Sequence, residues 1–248
     1  MTINYSSRFF LFVRSVIIFF KLKNFFYKIL NFHNSKYEEN FSNAMLSTIK
    51  GNDVVWDVGA NIGFYTKKFH KLVVDNCRKK IPKMKRGCVV AFEPDLQAMK
   101  KLKKSFFSKK NILFKQIALS NSNGFLKFTN DPMSPTNQII DTNSQFIYEN
   151  KSVKVKSFKA DSLIKKLNLS IPNVVKIDTE GFELEVLQGM KNTLKNNSLR
   201  EVFIEVHFSI LKKRNLKKPI TSIIKLLKSN KFLISWIDSS HLRAYRVS

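Results

Sequence analysis

Glycine and acidic residues are scarce in this chain. Its 248 residues include 7 glycines and 18 aspartates and glutamates, against 44 lysines and arginines. Because glycine is so rare, each one is expected to lie where the backbone needs it. The two cysteines, Cys77 and Cys88, fit no metal-ligand spacing and predict no disulfide, which is typical of a protein in a reducing cytoplasm.

Long apolar runs and interdomain linkers are absent as well. No segment holds the ~20 predominantly apolar residues that a membrane-spanning helix needs, and none precedes the small-residue cleavage site of a signal peptide. No stretch rich in proline, glycine and serine divides the chain. We therefore expect one domain over residues 51–248, preceded by a helical segment over residues 1–50.

The N-terminal segment mixes apolar and basic residues from Arg8 to Leu30. Two placements fit this pattern. A helix can pack its apolar stripe against the domain, or it can lie on a membrane surface with its basic residues toward the lipid headgroups. The predicted location is the cytoplasm, at the inner face of the membrane if the second placement holds.

The formal net charge of +26 favours an anionic partner, such as nucleic acid, a phosphorylated glycan or an acidic membrane. However, lysine, asparagine, isoleucine and phenylalanine are all abundant, and the lysines lie along the whole chain rather than on one helical face. Biased composition therefore explains the charge better than an anionic partner does.

Short apolar strands alternate with amphipathic helices along most of the chain. This alternation predicts an α/β fold, a Rossmann-like, doubly wound and mostly parallel sheet with helices on both faces. We expect an N-terminal helix over Tyr37–Lys50 and an antiparallel edge strand over His241–Val247. The predicted parallel strands are Val54–Asp57, Cys88–Phe92, Ile112–Leu119, Asn173–Asp178, Glu201–Val206 and Phe232–Ile237.

A long polar loop, Asp131–Lys151, interrupts the alternation. The strand-like segments Asn123–Asn130 and Val153–Phe158 flank it. Loops of this length are uncommon in compact domains unless they have a function, so we expect a substrate loop or lid here.

In such a sheet, ligands bind beyond the carboxyl ends of the strands. In this chain, the first predicted strand is followed by a glycine-containing loop. Gly59 and Gly63 permit a tight turn before a helix, and Asp57 stands two residues before the first of them. The spacing does not fit the dinucleotide motif G-x-G-x-x-G. An acid at this place can hold an ammonium group, which the methionine half of S-adenosylmethionine has and a dinucleotide lacks.

Acids also end the second, fourth and fifth strands. Glu93 can accept hydrogen bonds from ribose hydroxyls, and it can equally cap a helix. Asp178 ends the fourth strand, followed by Glu180 and Gly181, and Glu205 and His207 share a face at the end of the fifth. A histidine with a pKa near neutrality can accept a hydroxyl proton, although a structural role fits it as well.

Together these segments resemble the FkbM family of methyltransferases. The resemblance covers about residues 53–208, and Lys176–Met190, with its acid-Gly-x-Glu element, is the most specific part. The other matching segments are DVGANIG at Asp57–Gly63, FEP at Phe92–Pro94, ALS at Ala118–Ser120 and IEVH at Ile204–His207.

The resemblance implies S-adenosylmethionine as the cofactor and O-methylation of a hydroxyl on a sugar, glycan or secondary metabolite. For this reaction we expect His207 or Asp178 to take the hydroxyl proton. The resemblance also implies that Glu93 binds the ribose and that Asp178 lies near the reacting centre. It further implies contacts to the methionine moiety from Asp57, Gly59, Asn61 and Gly63.

Three alternatives remain from the residues. The acceptor can be RNA, although the chain lacks the Asn/Asp-Pro-Pro-aromatic signature of base methyltransferases and any aromatic-basic RNA-binding module. The scaffold can also be a non-catalytic membrane- or glycan-binding module, against which the retained strand-end acids argue. No metal site is assigned, but a hard divalent cation is an alternative. Its ligands would be Asp178, Glu180, Glu205 and His207.

Overall fold

The computed structural model describes residues 38–77, 87–129, 139–140 and 152–247. The segment Arg8–Leu30 lies outside them, as does nearly all of the loop Asp131–Lys151. Within the described ranges, every helix is too short or too polar to cross a membrane.

The chain alternates between strands and helices, as the sequence predicts. In chain order the elements are α1 (residues 38–46), β1 (Val54–Val58), α2 (Phe64–Cys77), β2 (Cys88–Phe92), α3 (Leu96–Ser105), β3 (Ile112–Lys115), β4 (Ala118–Leu119), β5 (Gly124–Thr129), β6 (Ile139–Ile140), β7 (Ser152–Phe158), α4 (Ala160–Leu167), β8 (Val174–Ile177), α5 (Glu183–Gln188), α6 (Lys191–Lys195), β9 (Glu201–Glu205), α7 (Phe208–Lys213), α8 (Pro219–Ser229), β10 (Leu233–Trp236) and β11 (His241–Tyr245).

The main sheet has seven strands in the order β10-β11-β9-β8-β1-β2-β3. Strands β3, β2, β1, β8 and β9 are mutually parallel, and β1 lies between β2 and β8. The chain runs from β1 to β2 and β3 on one side and later returns to β8 on the other side of β1. In sheets with such a reversal, the ligand-binding crevice lies at the carboxyl ends of the two strands concerned, here β1 and β8. This confirms the predicted doubly wound, Rossmann-like fold.

The C-terminal strand is antiparallel as predicted, but its predicted place at the sheet edge is wrong. Strand β11 pairs with both β9 and β10, so β10 forms the edge. The chain turns back after β10, and the inner position gives β11 hydrogen bonds on both sides. Burial agrees with this order, because Leu242 and Ala244 of β11 are fully buried while Leu233 and Trp236 of β10 are half exposed.

The predicted third strand, Ile112–Leu119, is divided between two sheets. Its first half, β3, pairs with β2, whereas β4 pairs with β7 in a second sheet of order β4-β7-β5-β6. Strands β5 and β7 match the predicted strand-like segments around the polar loop. Two residues of the predicted loop, Ile139–Ile140, form β6 and pair with β5, which the sequence did not predict.

Helices cover both faces of the main sheet. Trp56, Ile177 and Ile204 face one apolar cluster, which includes residues of α4, α5 and α8. On the other face, Phe203 packs in a cluster with residues of α1 and α2, including Phe41. The apolar side of α1 therefore packs in the same core as the sheet.

Candidate active site

The loop after β1 bends in a way that needs glycine. Gly59, Asn61 and Gly63 all have positive φ angles, of 76°, 47° and 92°. A Cβ atom on Gly59 would lie 1.7 Å from the carbonyl oxygen of Asp178, so any side chain there would clash with the end of β8. The loop thus brings its bare backbone against the residues that follow β8.

Glu93 joins this loop to the end of β2. One carboxylate oxygen accepts the Asn61 N–H at 2.7 Å, and the other accepts the Asp95 N–H at 2.8 Å. Burial raises the pKa of Glu93 to about 7, although both N–H donors act to lower it. The carboxyl group therefore titrates near neutrality at the place where a ribose is expected.

Asp57 lies under the glycine loop and is fully buried. Its Oδ2 accepts the Thr66 hydroxyl at 2.5 Å, and its Oδ1 is 3.4 Å from Nζ of Lys176. Burial raises the pKa of Asp57, while Lys176 and Thr66 oppose the rise. The ammonium group beside Asp57 in this structure thus belongs to Lys176, which pairs with Asp57 in the strand register.

Lys176 connects the acids of two strands. Its Nζ lies 3.0 Å from Oδ2 of Asp178 and donates to the Gly59 carbonyl at 3.0 Å. Burial lowers the pKa of this lysine, but Asp178 and Asp57 raise it further, to a value above that of a free lysine. Lys176 therefore stays charged and fixes the glycine loop to the ends of β1 and β8.

His207 lies among four carboxylates at the ends of β8 and β9. Its Nδ1 is 2.8 Å from Oε1 of Glu183, and its Nε2 is 3.3 Å from Glu180, 3.7 Å from Asp178 and 3.9 Å from Glu205. Burial lowers the pKa of His207, but the hydrogen bond to Glu183 and the other carboxylates raise it to about 9. With protein groups alone around it, the ring is protonated at neutral pH.

Arg214 stabilises the loop between β8 and α5 through hydrogen bonds. Its guanidinium group donates to the Gly181 carbonyl and to Oε1 of Glu185, the latter at 2.6 Å, and it stacks on the Phe182 ring at 3.9 Å. Glu180 in this loop has a φ of 49°, a left-handed conformation that few non-glycine residues adopt. Arg214 therefore supports the turn that points Glu180 toward His207.

A second histidine ties α1 and β11 to the same crevice. Nδ1 of His241 is 2.7 Å from Asp238, and its Nε2 is 3.7 Å from Oε2 of Glu205. The ring stacks on Phe41 of α1, with 4.0 Å between the ring centroids. Glu205 is thereby turned toward His241 as well as toward His207.

The structure links the residues that the sequence predicts for the site. Glu93 binds the backbone of Asn61, Lys176 connects the glycine loop with Asp178, and Asp178 faces His207. Sequence reasoning did not assign roles to Lys176 or Glu183. The register of β1 with β8 would have revealed Lys176, since it lies directly opposite Asp57.

The fold and the site together define a Rossmann-like methyltransferase. A model of the family described as "Methyltransferase FkbM domain" matches residues 57–246 of the chain. The chain belongs to this family and is a methyltransferase, in agreement with the resemblance seen in the sequence.

Two relatives indicate how far this similarity extends. Over 203 residues, the chain is 29% identical to the hexuronic acid methyltransferase AglP of Haloferax volcanii. The aligned region covers 79% of this chain and 76% of AglP. The crystal structure of an FkbM methyltransferase from Methylobacillus flagellatus superposes with a TM-score of 0.52 at 13% identity. That match covers 79% of this chain but 44% of the crystallised one, so the chain spans less than half of it and shares its fold.

Proposed function

We propose that this protein transfers a methyl group from S-adenosylmethionine to a hydroxyl oxygen of a sugar in a glycan or metabolite. The observation that carries the proposal is the convergence of acids from β1, β2 and β8 around one glycine loop. The family assignment supports methyl transfer as the reaction.

The cofactor half of the site lies over β1 and β2. In this proposal Glu93 accepts hydrogen bonds from the ribose hydroxyls, and the loop Gly59–Gly63 lies along the methionine moiety. Asp57 lies under the glycine loop, where it has no exposed surface and its two oxygens face Thr66 and Lys176. It therefore positions the loop through Lys176 rather than contacting the cofactor.

The acceptor half lies over β8 and β9, where Asp178 and His207 are partly exposed. The acceptor oxygen forms a bond to the methyl carbon while the carbon–sulfur bond breaks, and the sulfur keeps the electron pair as S-adenosylhomocysteine. The hydroxyl proton passes to Asp178, because the ring of His207 is already protonated at neutral pH. Nε2 of His207 lies 3.7 Å from Oδ1 of Asp178 and holds a positive charge beside it. Since the sulfonium is already activated, alignment of donor and acceptor supplies much of the rate.

A sugar acceptor is supported by the relative named as a hexuronic acid methyltransferase. A role of the loop Asp131–Lys151 at the acceptor site stays a prediction from the sequence. A cytoplasmic location, and contact of the segment Arg8–Leu30 with a membrane, stay predictions from the sequence.

Transfer from methyl-labelled S-adenosylmethionine tests the proposal directly. The purified protein is incubated with an oligosaccharide containing glucuronic acid, with the matching glucose oligosaccharide and with total RNA, and the label is traced by mass spectrometry. We expect methyl ethers on a sugar hydroxyl. Label on RNA bases or ribose would show that the acceptor is RNA instead of a sugar. A folded protein that binds no S-adenosylhomocysteine would contradict S-adenosylmethionine as the methyl donor.

Cofactor affinity should rise with pH because Glu93 accepts ribose hydroxyls best as a carboxylate. With the pKa of Glu93 at about 7, deprotonation predicts about a tenfold rise in affinity for S-adenosylhomocysteine between pH 6 and pH 8. Isothermal titration at both pH values measures this rise. Glu93→Gln should bind more weakly and with a smaller pH dependence, and an equal rise in this variant would assign the effect to another group.

A further inference from the structure

Three possible metal ligands converge at the acceptor side of the crevice. One ligand atom each from Asp178, Glu180 and His207 lie within 4.8 Å of one another, and all three residues are partly exposed. The two acids follow β8 and the histidine follows β9, so adjacent parallel strands hold the group together. Asp178 and His207 are thus placed by adjacent strands, and Glu180 by the turn that Arg214 holds through the Gly181 carbonyl.

Two of the three ligands, His207 and Asp178, already have a protein partner on the atom that points away from the cluster. Glu183 is fully buried and binds Nδ1 of His207 at 2.8 Å, so Nε2 is left to face the two acids. Oε2 of Glu183 has no hydrogen-bond partner within the described part of the chain. Lys176 takes Oδ2 of Asp178, which leaves Oδ1 toward His207. A buried carboxylate behind a histidine is the arrangement that orients metal-binding histidines.

The local charge also calls for a cation. Four carboxylates surround His207, and one of the four is completely buried. Lys176 lies beside Asp178 and His241 beside Glu205, whereas Glu180 and Glu183 pair only with the His207 ring among the described residues. The sulfonium of the methyl donor offers a positive charge but no coordination positions for a nitrogen and two carboxylates. A protonated imidazole ring is the remaining competitor for this place.

We propose that Asp178, Glu180 and His207 bind one divalent cation of the Mg²⁺ or Mn²⁺ class. Two carboxylates and one imidazole suit Mn²⁺, and three protein ligands leave positions open for the acceptor hydroxyl and water. Glu205 is outside this set, since it is 3.9 Å from Nε2 and its other oxygen faces His241.

The role of the cation rests on the proposed function. A cation held by these residues would bind the acceptor hydroxyl and make it more acidic, and the hydroxyl proton would pass to water. Asp178 would then be a ligand instead of the proton acceptor, and His207 would bind the cation through an unprotonated Nε2. The methyl group moves from sulfur to oxygen as before, with the electron pair left on sulfur.

Manganese binding by the full-length, cofactor-free protein tests the site without any need for an acceptor. The electron paramagnetic resonance signal of free Mn²⁺ falls as the ion is bound, which gives the stoichiometry and affinity. We expect one Mn²⁺ per chain, and at least about a tenfold loss of affinity in Glu180→Gln. Asp95→Asn removes the same charge at the start of α3 and should bind Mn²⁺ like the wild type.

Circular dichroism first establishes that each variant is folded. Failure of the folded wild type to bind Mn²⁺, with or without S-adenosylhomocysteine, would overturn the site, as would equal affinity in Glu180→Gln. A parallel titration with S-adenosylhomocysteine keeps the two proposals apart. Cofactor binding without Mn²⁺ binding removes only the cation, whereas Mn²⁺ binding without cofactor binding leaves the site but removes the proposed function.

Discussion

Asp57→Asn should lower the free energy of unfolding by about 3–5 kcal/mol and weaken S-adenosylhomocysteine binding by at least about tenfold. Asp57 is fully buried beside the charged Lys176, and an amide cannot balance that ammonium group. Lys176 would keep only Asp178, whose carboxylate is partly exposed to water and compensates a buried charge less well. Lys176 also donates to the Gly59 carbonyl, so its displacement would disturb the loop that we assign to the methionine moiety. Both effects follow from one lost charge.

Asp53→Asn is the matched control, because Asp53 is also buried but precedes the amino end of the same strand. Asp53 pairs with Arg200 at 2.9 Å and accepts the Lys50 N–H at 2.7 Å. Removing this charge should reduce stability by about 1–3 kcal/mol and leave cofactor affinity unchanged, since β1 separates it from the crevice. We expect a smaller loss of stability in Asp53→Asn than in Asp57→Asn, because Arg200 is partly exposed and water can solvate its charge.

Denaturant unfolding and isothermal titration measure the two quantities in both variants. A folded Asp57→Asn protein with wild-type affinity would show that the residue under the glycine loop is structural only. Equal affinity losses in the two variants would attribute the effect to general destabilisation of β1.

Local patterns made the strand ends predictable. Asp57, Glu93 and Asp178 each follow a short apolar run, and in parallel strands such ends meet at one edge of the sheet. The need for glycine at position 59 was also readable, since this chain has so few. The family resemblance added the cofactor to these positions, which the residues alone did not specify.

Contacts between distant segments were not predictable in the same way. The place of β11 between β9 and β10 depends on which strand buries its side chains better, and the alternation in both segments is similar. The division of Ile112–Leu119 between two sheets depends on β7, which is more than 30 residues away. The pair formed by His207 and Glu183 needs the turn that Arg214 holds.

Asp178→Asn should leave the fold and cofactor binding intact but lower kcat by about 10²–10⁴-fold. Lys176 keeps Asp57 as a partner, so the variant strands no buried charge. Asp178 is partly exposed at the acceptor side, where it serves either as the proton acceptor or as a cation ligand. An uncharged amide is a poor substitute in both roles, so the loss should fall on kcat.

Glu201→Gln provides the control, since it removes a carboxylate at the amino end of β9, on the opposite edge of the sheet. Glu201 is paired with Arg243 at 2.8 Å, and its loss should affect stability but not turnover. Steady-state kinetics with a sugar acceptor give kcat, and titration gives the affinity for S-adenosylhomocysteine. Full turnover by Asp178→Asn would remove this residue from the mechanism, whereas a similar fall in both variants would indicate instability. A fall in kcat confined to Asp178→Asn, with cofactor affinity within about threefold of the wild type, would place the residue at the reacting centre.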